Sequence, residues 1–331
     1  MGNRWCLLTL RRISRVFLCS MIVMAYGGIT YAQDYPNRTI TLVVPFTPGT
    51  GYDLIGRAVG AELGKKLGEA IVIDNRPGAS GIIGARSVAR SPADGYTLLM
   101  IGDGIIAAPF LSKSNNFDAI AELTPIVLAG YGTLMLAASP QSGFKSVSDL
   151  IAAAKASPGK INYASPGVGT TQNIRTEQFS RLAGIKLQHI PYKGSAGALN
   201  DLISGQVEVA LIPIHQAEEH VKAGKIVPLA VISPTRNAKT PDVPTFAELG
   251  FDSVQARMWY AFVAPKGIPE SVQSLLNTDI KDILGMPEVR GRLEKAGLEI
   301  ATSTPDELEK IMRDQAKAIA PVIEQSGVTV E

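Results

Sequence analysis

Along nearly all of this 331-residue chain, segments with the character of buried strands alternate with amphipathic helical segments, which restricts it to an α/β fold. The first unit is the clearest. The apolar run Ile40-Thr41-Leu42-Val43-Val44 ends at Pro45, and a loop rich in Pro and Gly follows. Leu54, Ile55, Ala58, Val59 and Leu63 then recur at helical spacing. Strands are expected at 71–73, 96–101, 134–138, 161–164, 187–190, 207–212, 228–232 and 260–264. Helices are expected at 82–89, 147–156, 171–182, 196–204, 269–284, 287–296 and 305–320, the last group packing back on the first part of the fold. The start Thr304-Pro305-Asp306-Glu307 combines a cap, a proline at the first helical position and acids in the first turn. Such alternation predicts mainly parallel sheets flanked by helices, with ligands at the carboxyl ends of the strands.

Two Gly-rich strand-to-helix loops, 46–53 and 165–171, fall at those ends about 120 residues apart, roughly one domain length. Each opens a helix, whose unpaired N–H groups and positive dipole end suit an anion. Two lobes would therefore face each other across a cleft. Asp53 has two readings: a functional group that accepts a hydrogen bond from a ligand or holds the loop's own N–H groups, or an acid in the first turn that stabilises the helix dipole. Arg76 and Lys193 each follow a strand and precede a glycine-containing loop, so each is either a cationic partner for an acidic ligand or a solvated surface charge.

The ends and the charge narrow the class. Arg4, Arg11, Arg12 and Arg15 precede an apolar stretch at 16–25, and Thr30-Tyr31-Ala32 offers small residues for cleavage before Gln33. Residues 1–32 are thus expected to be a cleaved export signal, too short to span a membrane. Cys6 and Cys19 lie inside it, so the mature chain has no cysteine. Its loss leaves 28 basic and 30 acidic residues, a net charge of −2. No basic patch with interleaved aromatics points to nucleic acid.

Catalytic patterns are scarce. The three histidines include His215 and His220, spaced as in a zinc motif with one residue too many. Five apart on a helix, they lie about 140° from each other and suit a solvated polar face better than a shared metal. There is no nucleophile elbow, Walker loop or dinucleotide fingerprint. Neither an enzyme nor a cofactor is expected.

Six ordered motifs carry a resemblance. They are Val44-Pro45-Phe46-Thr47-Pro48-Gly49, Asn75-Arg76-Pro77-Gly78-Ala79-Ser80-Gly81, Asp94-Gly95-Tyr96-Thr97-Leu98-Leu99, Asn162-Tyr163-Ala164-Ser165-Pro166-Gly167, Pro191-Tyr192-Lys193-Gly194 and Pro241-Asp242-Val243-Pro244-Thr245. Together they resemble the substrate-binding receptors of tripartite tricarboxylate transporters, the Bug proteins of Gram-negative periplasm. The resemblance covers the mature chain. It implies a two-lobed periplasmic binding protein of type II, a Venus flytrap, with residues 33–133 plus 260–331 in lobe 1 and 134–259 in lobe 2. Crossings are expected near Gly130 to Ala138 and near Arg257 to Phe262. A monomeric periplasmic receptor is implied, closing on a small organic carboxylate and passing it to membrane permease subunits. A receptor for a sensor kinase is the alternative, and a secreted enzyme a more distant one.

By the same resemblance, Phe46, Thr47, Pro48, Gly49, Thr50, Gly51, Tyr52 and Asp53 form the first-lobe loop. Ser165, Gly167, Gly169, Thr170 and Thr171 form the second, while Ala79, Ser80, Gly104 and Ile212 are further contacts. The chain departs from the family pattern at Thr50 and Tyr52, at Gln172 and Asn173, and at Ile212-Pro213-Ile214. These departures suggest a larger or less polar ligand.

Overall fold

A computed structural model of the chain describes residues 35–111, 117–254, 258–326 and 328. The expected export signal at 1–32, with both cysteines, lies outside them, as does Arg257 at the expected second crossing. Strand β1 (Ile40–Val44) leads into α1 (Gly51–Leu67), β2 (Ile71–Asn75) into α2 (Ile82–Ala89), and β3 (Thr97–Gly102) into a helical turn at Asp103–Ala107. Strand β4 (Leu123–Gly132) is followed after Thr133 by β5 (Leu134–Ala138) and α3 (Val147–Ala156). Then come β6 (Asn162–Ser165), α4 (Thr171–Leu182), β7 (Gln188–Pro191), α5 (Ser195–Ser204), β8 (Val209–Pro213), α6 (Ile214–Lys222) and β9 (Val227–Ile232). The chain closes with β10 (Met258–Pro265), α7 (Glu270–Gly285), α8 (Pro287–Lys295), β11 (Leu298–Glu299) and α9 (Pro305–Ser326).

The strands form two sheets, ordered β11-β4-β10-β3-β1-β2 and β7-β6-β8-β5-β9. Each has its own core: Val43, Leu99, Ile101, Leu128 and Trp259 are buried on the first, and Met135, Ala164, Ile212 and Val231 on the second. The two-lobed α/β class holds. The sheets are mixed, however, where mainly parallel ones were expected. Parallel pairing is confined to β2-β1-β3 and β7-β6-β8, and β10, β4, β11, β5 and β9 join antiparallel. The reason is the route of the chain. Strand β4 runs out of the first sheet directly into β5 of the second, and β10 returns between β3 and β4.

Strand β4 is absent from the sequence expectation, and its segment carries Pro125, Gly130 and Gly132. The structure gives them local roles. The β4–β10 ladder shifts register beside Tyr260 and Phe262, and Gly130 sits at φ 150°. A Cβ there would lie 2.5 Å from the Glu299 carbonyl oxygen on β11. Helix α9 begins with the expected capping box: Thr304 N–H donates to Glu307 Oε2 at 2.8 Å, and Glu307 N–H to Thr304 Oγ1 at 3.2 Å. It continues through Pro321 to Ser326, beyond the expected end at 320. Burial of Ile319 and Ile323 against Ala107 and Leu111 of the first lobe and Ile174 of the second offsets that local penalty. The tail therefore packs on the first lobe, as expected, and also reaches the second, where Arg181 donates to Gln325 at 2.8 Å.

Candidate functional site

The parallel strands of both sheets deliver their carboxyl ends to one cleft. From the second lobe, β6, β7 and β8 feed α4, α5 and α6. From the first, β1 feeds α1, β2 the 76–81 loop, and β3 the turn at Asp103. An inner chamber results, with about 30 Å³ of space, walled by Thr50, Gly51 and Tyr52 at the start of α1 and Thr170, Thr171 and Gln172 at the start of α4. Ser195 at the start of α5, Pro213, His215 and Gln216 at the start of α6, and Phe46, Ser80, Gly104, Pro166, Met258 and Tyr260 complete it. Four helix N-termini thus converge on a chamber whose lining contains no charged side chain.

Three of those helices, α1, α5 and α6, have no side-chain cap, so their leading N–H groups are not satisfied in that way. The fourth is capped by Thr170, which accepts from Asn173 N at the long distance of 3.4 Å. His215 Nε2 and Gln216 Oε1 are buried without a partner. Burial drives the His215 pKa down to about 4, so its ring is neutral at pH 7. The histidine that suggested a solvated helix face is therefore part of the chamber, while Glu219 on the same helix has a side chain 83% exposed.

The first loop is rigid for reasons legible in its residues. Gly49 adopts φ 83°, and its N–H donates to Asp53 Oδ2 at 3.0 Å. Arg57 Nε reaches Asp53 Oδ1 at 2.9 Å, and Asn75 Nδ2 bonds both Asp53 Oδ1 and the Phe46 carbonyl at 3.1 Å. Burial pushes the Asp53 carboxyl upward, but bonds from Arg57, Gly49 and Asn75 outweigh it and hold the pKa below the usual value. Of its two readings, the loop clamp is the one the geometry supports. The aromatic floor is also built locally: Phe46 stacks on Tyr52 at 4.5 Å, and Tyr52 meets Tyr260 edge-on at 4.8 Å.

In the second loop, Ser165 Oγ lies 2.7 Å from His189 Nε2, the geometry of a nucleophile beside a base. Ser165 is fully buried, and its hydroxyl is also within reach of the Gly167 carbonyl at 3.0 Å and the Gly167 N–H at 3.2 Å. Asn173 anchors the same loop, its Oδ1 accepting from Gly169 N at 2.9 Å and its Nδ2 donating to Tyr163 Oη at 2.6 Å. The network shapes a loop and offers no accessible nucleophile.

The lobes touch directly. Thr171 Oγ1 donates to Asp103 Oδ2 at 2.8 Å, and Ser80 Oγ to the Val168 carbonyl at 2.6 Å. Gln216 Nε2 makes a long 3.4 Å contact with the Gly49 carbonyl. Asp103 and Arg175 are both buried, 2% and 4% exposed, and attract one another across this interface. Burial raises the Asp103 pKa to about 6 in spite of Thr171 and Arg175, and burial likewise lowers that of Arg175.

Beyond the inner chamber the cleft widens into an outer cavity of about 510 Å³. Of the seventeen expected contacts, Phe46, Thr50, Gly51, Tyr52, Ala79, Ser80, Gly104, Gly167, Gly169, Thr170 and Thr171 line one or both spaces. Thr47, Pro48, Gly49, Asp53, Ser165 and Ile212 do not. Pro48 and Gly49 are exposed on the loop, Thr47 packs beside Gly194 of the facing lobe, and Asp53 and Ser165 organise their loops. Ile212 faces the core of the second lobe, 1% exposed. Arg76 pairs with Asp74 at 2.7 Å on the surface, whereas Lys193 stands at the edge of the outer cavity. His215, Gln216, Ser195, Met258 and Tyr260 are additional lining residues. For Ser195, His215 and Gln216 the one sequence signal is position after a strand, weak for His215, which follows Pro213-Ile214; Met258 and Tyr260 lie within β10 and carry no such signal.

Residues 55–328 match the model of the tripartite tricarboxylate transporter family receptor, TctC. The chain is 33% identical to Protein BugT of Bordetella pertussis over 324 residues, 96% of this chain and 99% of that protein. Among solved structures it is similar to R. palustris Rpa4515 with adipate, at 32% identity and TM-score 0.84, covering 89% of this chain and 99% of that one. It is also similar to MatC from Rhodopseudomonas palustris with bound malate, at 28% identity and TM-score 0.82, covering 87% and 100%. The cleft between two α/β lobes and the full-length similarity agree: the chain belongs to the TctC family of periplasmic solute-binding receptors.

Proposed function

We propose that this receptor works in the periplasm, captures a small carboxylate-containing molecule by hinge closure, and delivers it to a tripartite tricarboxylate-type membrane transporter. The observation that carries the reading is the convergence of four helix N-termini on an uncharged, largely enclosed chamber. Such a chamber compensates a carboxylate with oriented N–H dipoles and needs no salt bridge. Neutral His215 adds a hydrogen-bonding group through its unpartnered Nε2. Because the chamber draws walls from both lobes, a carboxylate binds the closed form better than an open one and shifts the population toward it. The adipate and malate seen in related receptors fit this chemistry. A thermal-shift screen of mono-, di- and tricarboxylates, adipate and malate included, tests the binding step. Stabilisation by carboxylates is expected; stabilisation only by sugars or cationic amino compounds would contradict it. For delivery, solute uptake by cells carrying the transporter should require this receptor, and undiminished uptake without it would refute that step.

A further inference from the structure

Behind the second-lobe loop, strand and helix geometry bring five polar side chains together. Tyr163 and Ser165 are two apart on β6 and share one face, and the β6–β7 register sets His189 beside Tyr163. Their rings stack at 4.7 Å. Asn173 and Glu177 are four apart on one face of α4. Tyr163 Oη donates to Glu177 Oε1, Asn173 Nδ2 donates to Tyr163 Oη at 2.6 Å, and the Gly169 N–H donates to Asn173 Oδ1 at 2.9 Å. Tyr163 and Asn173 are buried. Glu177 is half-buried and lines neither the inner chamber nor the outer cavity.

The direction of each bond follows from the one before it. A carboxylate only accepts, so Glu177 makes the Tyr163 hydroxyl a donor. Burial and the neighbouring carboxylate push the Tyr163 pKa upward, so the phenol keeps that proton. Its oxygen then accepts from Asn173, which turns the amide so that Oδ1 meets the Gly169 N–H. The opposite orientation would set Nδ2 against that N–H, donor to donor. Asn173 Nδ2 also faces His189 Nδ1 at a long 3.5 Å. Burial brings the His189 pKa down to about 4, so the ring is neutral at pH 7 and carries a single N–H. With Nδ1 facing a donor, that N–H is on Nε2 and donates to Ser165 Oγ at 2.7 Å, whose own hydrogen goes to the Gly167 carbonyl at 3.0 Å. His189 therefore donates to Ser165 and does not act on it as a base.

Resting on the reading of the chamber as a carboxylate site, we propose that Glu177 is the positioning residue of the second-lobe loop. Acting through Tyr163, Asn173 and His189, its acceptor oxygen sets the bond directions that hold residues 165–171 against the chamber. A rotated Asn173 amide would release the N–H of Gly169, which stands at φ 78° directly before Thr170 and Thr171 of the chamber wall. Asn173, a departure from the family pattern, is the junction of this relay.

Nuclear magnetic resonance of the ligand-free protein at about pH 7.5 tests the assignment through the tautomer of His189 and the exchange rate of the Gly169 amide. In wild type the His189 nitrogen shifts should report a neutral ring protonated at Nε2, and the chain has only three histidines to assign. Glu177→Met removes the acceptor at similar length. It should speed Gly169 exchange by at least about tenfold while amides of the central strand β8 stay within about twofold. Glu177→Gln keeps an acceptor oxygen and should hold Gly169 within about threefold of wild type. A wild-type His189 protonated at Nδ1, unchanged Gly169 exchange in Glu177→Met, or an equal rise at Gly169 and in β8 would overturn the relay. So would a Glu177→Gln protein that behaves like Glu177→Met. No readout uses a ligand, so failure of every carboxylate to bind would remove the proposed function, and the relay would still be decided by these measurements.

Discussion

Thr171, the first residue of α4 in the second lobe, donates a 2.8 Å hydrogen bond to Asp103, which follows β3 in the first. The two are 68 residues apart in sequence, and the bond joins the lobes beside the inner chamber, which Thr171 lines. It is made to a carboxylate that burial disfavours. Asp103 is faced by Thr171 and Arg175 from α4, by Tyr52 from α1 and by Tyr260 from β10.

This pair should make stability depend on pH in a particular direction. The folded pKa of Asp103 is raised to about 6, above an unfolded value of about 3.9, so the folded state binds the extra proton between them. Its contribution is favourable below pH 4 and declines as pH rises through 6, by on the order of 3 kcal/mol. Asp103→Asn removes that slope, although it also leaves Arg175 buried without its partner charge and lowers stability overall. Urea unfolding from pH 4 to 8 should show wild type losing ground relative to the variant as pH rises. A constant difference would refute the assignment.

Asp53 should behave oppositely. Its folded pKa is lowered, so its contribution is present above the unfolded pKa and is lost as pH falls through the folded one. Asp53→Ala removes the acceptor of the Gly49 N–H, of Arg57 Nε and of one of the two Asn75 Nδ2 bonds, a loss of about 1–3 kcal/mol. Urea unfolding at pH 7 should record that loss, and the wild-type advantage should shrink in acid. An undiminished advantage at pH 3 would contradict the clamp.

Gly51 and Gly49 should respond differently to substitution. A Cβ on Gly51 would lie 2.5 Å from Tyr260 Oη and 2.6 Å from its Cζ, whereas nothing lies within 4 Å of one on Gly49. Gly51→Ala should displace Tyr260 and weaken carboxylate binding at least tenfold, a loss of about 1.4 kcal/mol. Gly49→Ala should act through backbone strain at φ 83° and cost stability by about 1 kcal/mol, with a smaller effect on affinity. Melting curves paired with titrations separate the two, and equal effects on binding would be contrary to the geometry.

His215 offers a signature that a purely structural residue would lack. Its Nε2 is buried and unpartnered, so His215→Leu should leave the melting temperature unchanged or raise it while weakening the bound carboxylate roughly five- to a hundredfold. Loss of stability with intact binding would place the ring outside the site.

Much of the architecture was legible because local signals and tertiary structure agree. The apolar run 40–44, the punctuated loop and the spacing of Ile55, Ala58, Val59 and Leu63 describe β1 and α1 almost residue by residue. The capping box at Thr304 and Glu307 marks the start of α9. Signals failed where tertiary packing overrides them. Strand β4 carries Pro125 and Gly130 within an irregular ladder, and α9 runs on past Pro321, held by the burial of Ile319 and Ile323. Within the site, glycine-rich loops announce helix N-termini but do not reveal which residues face the cavity and which hold the loop. Asp53 and Ser165 look like ligand groups in sequence and are internal braces in space. Asp103 and Arg175, on facing lobes, have no sequence pattern that would join them.

The central claim is that helix N-termini, without a salt bridge, select an anion. Calorimetric titration of one carboxylate and its matched primary amide, octanoate and octanamide, tests it most directly. The two share shape and apolar body and differ in charge. Octanoate should bind at least a hundredfold more tightly at pH 7.5, about 2.7 kcal/mol. Equal affinity for the amide would contradict the account.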